Sequence, residues 1–133
     1  MSIFDHHIYE YKKGLRGLVL HTVPSNFIED LRNKLDKQSI SYVIRELDNT
    51  NCNVFFGEEL CVEVVKQFGN RSLNQLTSEE DFMLGIMLGY SRLQQCQRYL
   101  LRKQKAKVFL KEKENLLLRR KEVIPKPLNN CPI

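Results

Sequence analysis

The sequence predicts an α+β fold: a small three-stranded sheet in the order β-α-β-β-α, half of a ferredoxin-like unit, covered by a long C-terminal helix. Three observations carry that prediction. Leu18-Val19-Leu20-His21-Thr22-Val23 is an unbroken β-favouring run stopped by Pro24, which reads as an interior strand. Two more such runs flank Asp48-Asn49-Thr50-Asn51, a turn in which Asp and Asn tolerate left-handed dihedrals and bond their own backbone. The stretch from Thr77 to about Arg102 has the pattern of one long helix, and the rest of the chain is organised around it.

Residues 1–16 are the least regular. Ile8, Tyr9, Tyr11 and Leu15 fall at helix-like steps, and Lys12-Lys13-Gly14 would close a short helix at Gly14. The alternation of His7, Tyr9 and Tyr11 with Ile8 and Glu10 would equally suit a strand; we favour the helix. After the first strand, Ser25 is an N-cap, and Phe27, Ile28, Leu31 and Leu35 give a helix to about Lys37 with a solvated face. Ile40 to Leu47 is the second strand and Cys52 to Phe56 the third, broken by Gly57. Glu58-Glu59 open a helix with Leu60, Cys61, Val64, Val65 and Phe68 apolar, and Gly69-Asn70 end it. Strands one and two flank a helix, so they are parallel neighbours or separated by one strand; two and three form an antiparallel hairpin. The helices at 25–37, 58–68 and 78–102 are the available cover for the apolar face of the sheet.

The organising helix starts with Thr77-x-x-Glu80, a capping box, and Asp81 adds acid to a first turn whose dipole favours it. Phe82, Ile86, Gly89, Leu93, Cys96 and Leu100 then form one line, widened by Met83, Met87 and Tyr90, with Leu84 and Leu88 on the other side. Past Arg102 the pattern gives way to Lys103-Gln104-Lys105-Ala106-Lys107 and the apolar islands Val108-Phe109-Leu110 and Leu116-Leu117-Leu118. A fraying continuation, a second helix and a partner-binding arm all fit this stretch. Pro125 and Pro127 exclude helix at the end, and the last eight residues are expected to be disordered. The division is one α+β domain over 1–104 and a basic helical extension with a Pro-containing tail over 105–133.

The length fits one domain able to bury a core without disulfides or metal. No apolar run approaches the roughly 20 residues of a membrane span. Met-Ser-Ile-Phe-Asp-His-His has no apolar core of a signal peptide, so the cytoplasm is the expected location. Cys52, Cys61, Cys96 and Cys131 include no Cys-x-x-Cys pair and read as thiols in a reducing compartment, Cys96 buried on the main helix. Residues 1–77 carry 9 Lys/Arg against 10 Asp/Glu, and residues 78–133 carry 12 against 6. The positive charge is therefore a property of the C-terminal part.

Little in the sequence points to catalysis. Glu58, Glu59, Glu79, Glu80 and Asp81 sit at helix starts, where capping and the dipole account for them. No nucleophile elbow, phosphate loop or dinucleotide fingerprint is present. His6-His7, with Tyr9, Tyr11 and Glu10, is the only local cluster of metal- or proton-competent side chains, and a metal, haem or acid–base site would need a partner from elsewhere, such as His21. Adjacent histidines point apart on a helix or strand, so a structural or surface role is the simpler reading. The basic run Arg98, Arg102, Lys103, Lys105, Lys107, Lys111 and Lys113, with Tyr99 and Phe109, has the charge to neutralise phosphates. It lacks any nucleic-acid-binding motif, and an acidic protein would be steered by the same field.

Several runs together resemble a family. They are His6-His7-Ile8-Tyr9-Glu10-Tyr11-Lys12-Lys13-Gly14-Leu15-Arg16, Leu18-Val19-Leu20-His21-Thr22, Asn53-Val54-Phe55-Phe56-Gly57, and Leu76-Thr77-x-Glu79-Glu80-Asp81-Phe82-x-Leu84-Gly85-x-Met87-Leu88-Gly89-Tyr90. These resemble a small domain-of-unknown-function group of bacterial proteins, over residues 4 to about 104. The resemblance implies a cytosolic α+β protein, transfers no catalytic residue or cofactor, and suggests an association with flavodoxin-type electron carriers. A basic surface would suit such a redox partner.

The expectation is a non-enzymatic binding or accessory protein with two interaction patches and no cofactor. One is His6, His7, Tyr9, Tyr11 and Arg16; the other is the basic side of 92–113, with Arg98, Arg102, Lys103 and Lys105. Nucleic-acid binding through the second patch and a metal- or haem-linked role of His6, His7 and His21 are the alternatives.

Overall fold

Each short helix forms where the sequence supplies a cap and a one-sided apolar face. In the computed structural model, which describes residues 2–120, α1 runs Ile3–Lys12, with Ser2 as its N-cap accepting from the Asp5 N–H. It ends at Gly14, so the helical reading of this region holds. Strand β1 is Leu18–Pro24, and a 3-10 turn at Ser25–Phe27 leads into α2, Ile28–Lys37. Strands β2 (Ser41–Glu46) and β3 (Asn51–Gly57) follow, then α3, Glu59–Gln67. Asp48 makes the intervening turn by accepting from the N–H groups of Thr50 and Asn51, both at 2.8 Å.

The sheet order is β1-β3-β2, with β3 antiparallel to both neighbours. β1 and β2 are thus parallel and separated by one strand, as a crossover helix permits. The sheet is apolar on both faces rather than one. Along β3, Val54 and Phe56 point to the face covered by α1 and α2, into a cluster with Phe4, Ile8, Val19, Leu31 and Leu35. Phe55 points the other way, among Val43, Val62, Val65, Phe68, Leu84 and Leu88. Every residue from Cys52 to Gly57 is buried.

The expected single helix from Thr77 to Arg102 is two. Helix α4 spans Ser78–Met87 and α5 spans Arg92–Arg120. Gly89 adopts φ +84°, the Gly89 N–H donates to the Ile86 carbonyl and the Tyr90 N–H to the Gly85 carbonyl. That pair of bonds is a Schellman stop. The chain reverses there, and Gln95 N–H donates to the Ser91 carbonyl as α5 begins. The fold is still α+β with a three-stranded sheet and a long C-terminal helix, but α4 carries the packing on the sheet. Its buried side is Leu84 and Leu88; Ile86, Leu93, Cys96 and Leu100, placed on a buried line by their spacing, are exposed. No α5 residue enters either core cluster. Residues 105–120 continue α5 as helix, and the expectations for Pro125, Pro127, Cys131 and the tail lie outside the described residues. Among the described residues no helix is long and apolar enough to cross a membrane.

Candidate protein interface

The N-terminal patch divides along α1. Tyr9 is exposed, with the Lys13 ammonium 5.5 Å from its ring centroid, and His6 is exposed beside it. His7 and Tyr11 turn inward. Tyr11 packs edge-on against Phe56 at 6.4 Å, and burial, then the nearby Glu58, pushes its hydroxyl above the ordinary tyrosine value. His7 Nδ1 is 3.3 Å from Glu10 Oε1 and 3.5 Å from Arg16 Nη1, so it can serve the carboxylate as donor or the guanidinium as acceptor, not both. Its ring meets His21 at 5.1 Å, edge to face. Burial, then the charge of His7, lowers the His21 pKa. The patch is thus two groups: His6 and Tyr9 face solvent, whereas His7 and Tyr11 brace α1 on the sheet and Arg16 reaches back to His7.

Among the described residues no group of three His, Cys, Asp or Glu side chains converges as ligands. His21 instead borders a groove between α1, β1 and α2, with Phe4, Val23, Phe27 and Leu31. Lys34 Nζ meets Asp5 Oδ1 at 3.0 Å, tying α2 to α1.

The basic patch is organised differently from its sequence reading. Antiparallel to α4, α5 brings its bases onto the acids of the α4 first turn. Arg98 grips Asp81 through two bonds, Nε at 2.7 Å and Nη2 at 3.0 Å. Arg102 Nη1 lies 2.9 Å from Asp81 Oδ1 while its Nη2 donates to the Leu76 carbonyl at 2.9 Å. Glu79 accepts from Tyr99 at 2.9 Å and pairs with Lys103 at 2.6 Å. The bond from Arg98 outweighs burial and holds the Asp81 carboxyl below the ordinary aspartate value. Lys103, then Tyr99, does the same for Glu79. Glu80 closes the capping box with Thr77 and pairs with Arg71, which push its pKa down to about 2. The helices approach closely because Gly85 has no side chain: a Cβ there would stand 1.5 Å from Gln95 Nε2.

Three of the four basic candidates, Arg98, Arg102 and Lys103, therefore hold the hairpin together, and Lys105 lies beyond it, exposed. Sequence reasoning took Glu79 and Asp81 for dipole partners only. The available signal was symmetry: Asp81 and Arg98 each lie eight residues from Gly89-Tyr90, with Glu79 and Lys103 farther out on their respective sides, as an antiparallel pair of helices requires. Past Lys103, α5 continues with Lys105, Lys107, Val108, Phe109, Leu110 and Lys111 exposed.

No curated protein matches the chain. Residues 2–102, the globular part with the α4–α5 hairpin, match the family described as Protein of unknown function (DUF2023). The chain belongs to the DUF2023 family.

Proposed function

We propose that this chain is a non-enzymatic accessory protein of the cytoplasm that works through a protein–protein surface, and that the free half of α5 carries that surface toward an acidic partner. One observation supports the reading above others. Lys105, Lys107, Lys111 and Lys113 are exposed and have no acid within ion-pair distance among the described residues, whereas Arg98, Arg102 and Lys103 are paired with α4. An exposed basic helix with apolar side chains between its lysines combines electrostatic steering with a surface to bury. His6 and Tyr9 offer a second, smaller contact.

The test is capture from native cell extract by the full chain and by a Lys105→Glu/Lys107→Glu/Lys111→Glu variant. The reading expects a specific acidic protein that is retained at low salt, released as salt rises, and lost with the variant. Equal capture by both chains would refute it. Retention of random DNA or RNA in place of protein, lost with the same variant, would move the function to nucleic-acid binding.

A further inference from the structure

We propose that residues 103–116 of α5 pair antiparallel with the same segment of a second copy of this chain. The proposal rests on the reading of this element as a protein-binding surface and names the occupant of its apolar side.

The face of α5 that meets α4 carries Gln95, Tyr99 and Arg102. Continued by steps of three and four, that same face carries Ala106, Phe109, Leu110, Lys113, Leu116 and Leu117. Helix α4 begins at Ser78, and its Glu79 pairs with Lys103, so from there onward the face has no partner among the described residues. Phe109, Leu110, Leu116 and Leu117 are 64%, 63%, 50% and 48% exposed. The stripe that closes the hairpin thus runs about 21 Å past it, to Leu117. A lone helix of this length is marginal in water, so an unpaired apolar side is doubly unfavourable.

The flanking charges identify a second copy. Lys105 and Glu112 lie on one side of the stripe, Lys107 and Glu114 on the other, each pair seven residues apart. In an antiparallel pair related by a twofold axis, a flank meets its own copy. With the crossing at Phe109 and Leu110, Lys105 of one copy stands opposite Glu112 of the other, and Lys107 opposite Glu114. The same register sets Lys113 against Ala106, whose small side chain leaves room for the lysine stem. Leu116 and Leu117 reach the level of Lys103 in the other copy, where its α4 begins. A parallel pair is excluded by shape: each copy would bring its α4 into the gap already filled by the other's. The contact offers eight large apolar side chains from the two copies. That falls short of the roughly 1,200 Å² at which stable complexes begin, so the pairing is weak and concentration-dependent.

Sedimentation of the full chain tests this. The weight-average mass is expected to rise from 15.7 kDa toward twice that value over about 10 µM to 1 mM. Phe109→Glu/Leu117→Glu, at exposed positions, should leave the circular dichroism of the domain intact and hold the chain monomeric throughout. Lys105→Glu should weaken association at least fivefold, and adding Glu112→Lys should restore it. A parallel arrangement would not be rescued, because Glu112→Lys would then face Lys107. A mass of one chain at every concentration, a dimer indifferent to Phe109→Glu/Leu117→Glu, or no rescue overturns the proposal. A monomeric chain that still captures its acidic partner would overturn this inference alone; a dimer that captures nothing would overturn the accessory function alone.

Discussion

Replacing Asp81 with alanine removes the acid that two arginines share across the α4–α5 hairpin. The Asp81 side chain is 14% exposed, Arg102 26% and Arg98 57%. The Arg102 pair is the better shielded, and a charge-assisted bond in such a place contributes about 1.5–2 kcal/mol. The Arg98 pair is half in water, and screening reduces it to about 0.5–1 kcal/mol. Asp81→Ala should therefore cost about 2–3 kcal/mol, which for a domain of this size lowers Tm by roughly 10 °C. The assay is denaturant unfolding of Asp81→Ala, Arg98→Ala, Arg102→Ala and both double variants. The coupling of Asp81 to Arg102 should exceed its coupling to Arg98. Because the Asp81 carboxyl is held below its ordinary 3.8, this stabilisation is fully present above about pH 4 and is lost as pH falls through the lower folded value. Couplings below about 0.3 kcal/mol in both cycles would refute the view that these charges fasten the hairpin.

Gly89→Val forces a β-branched residue into φ +84° and should destabilise the hairpin by about 2 kcal/mol, measured as faster amide exchange in α4 and α5. Ser39 occupies the left-handed region at φ 56° after α2, so Ser39→Gly should raise stability by about 1 kcal/mol in chemical denaturation. The stability difference between the native chain and Glu80→Gln should be constant above about pH 4.5 and shrink as pH falls toward about 2; a difference unchanged at pH 2.5 would contradict the assigned pairing with Arg71 and Thr77. The His21 imidazole should titrate by NMR below its ordinary 6.5, so that stability falls as pH drops below that value; a midpoint at or above 6.5 would show that the ring is not desolvated.

The strands were legible because β-favouring runs bounded by Pro24, Asp48-Asn49 and Gly57 leave few other readings, and β1 and β3 extend at most a residue beyond them. Helix α2 was legible from Leu31 and Leu35 against a charged face. The break at Gly89 was not, because a glycine on an apolar line satisfies the period of a helix as well as it satisfies a stop. Only its left-handed dihedral, which the sequence does not display, distinguishes the two. That error carried Cys96 and Leu93 into an imagined core, since a reversal exchanges which residues of the second helix face inward. The candidate basic site was misread for the same cause: Arg98, Arg102 and Lys103 look free along a continuous rod and become paired only when the rod folds back. The inward turn of His7 onto His21 lay outside any local pattern, since it depends on where α1 rests on the sheet.

The middle strand of the sheet is the last one synthesised. Pro24 pairs with Asn51 and Glu46 with Cys52, so neither outer strand has a neighbour until that end of β3 is made, and the pairing is complete only when Gly57 meets Leu18 and Ser41. A nascent chain halted earlier holds two sticky ribbons joined by a helix and nothing to zip them. Joining β1 to β3 closes loops of 27 to 39 residues, far longer than the β2–β3 turn, and the apolar ribbons are vulnerable to clumping in the interval. The short stretch from Asn51 to Gly57 is thus the piece of chain that shields the apolar faces of both earlier strands at once.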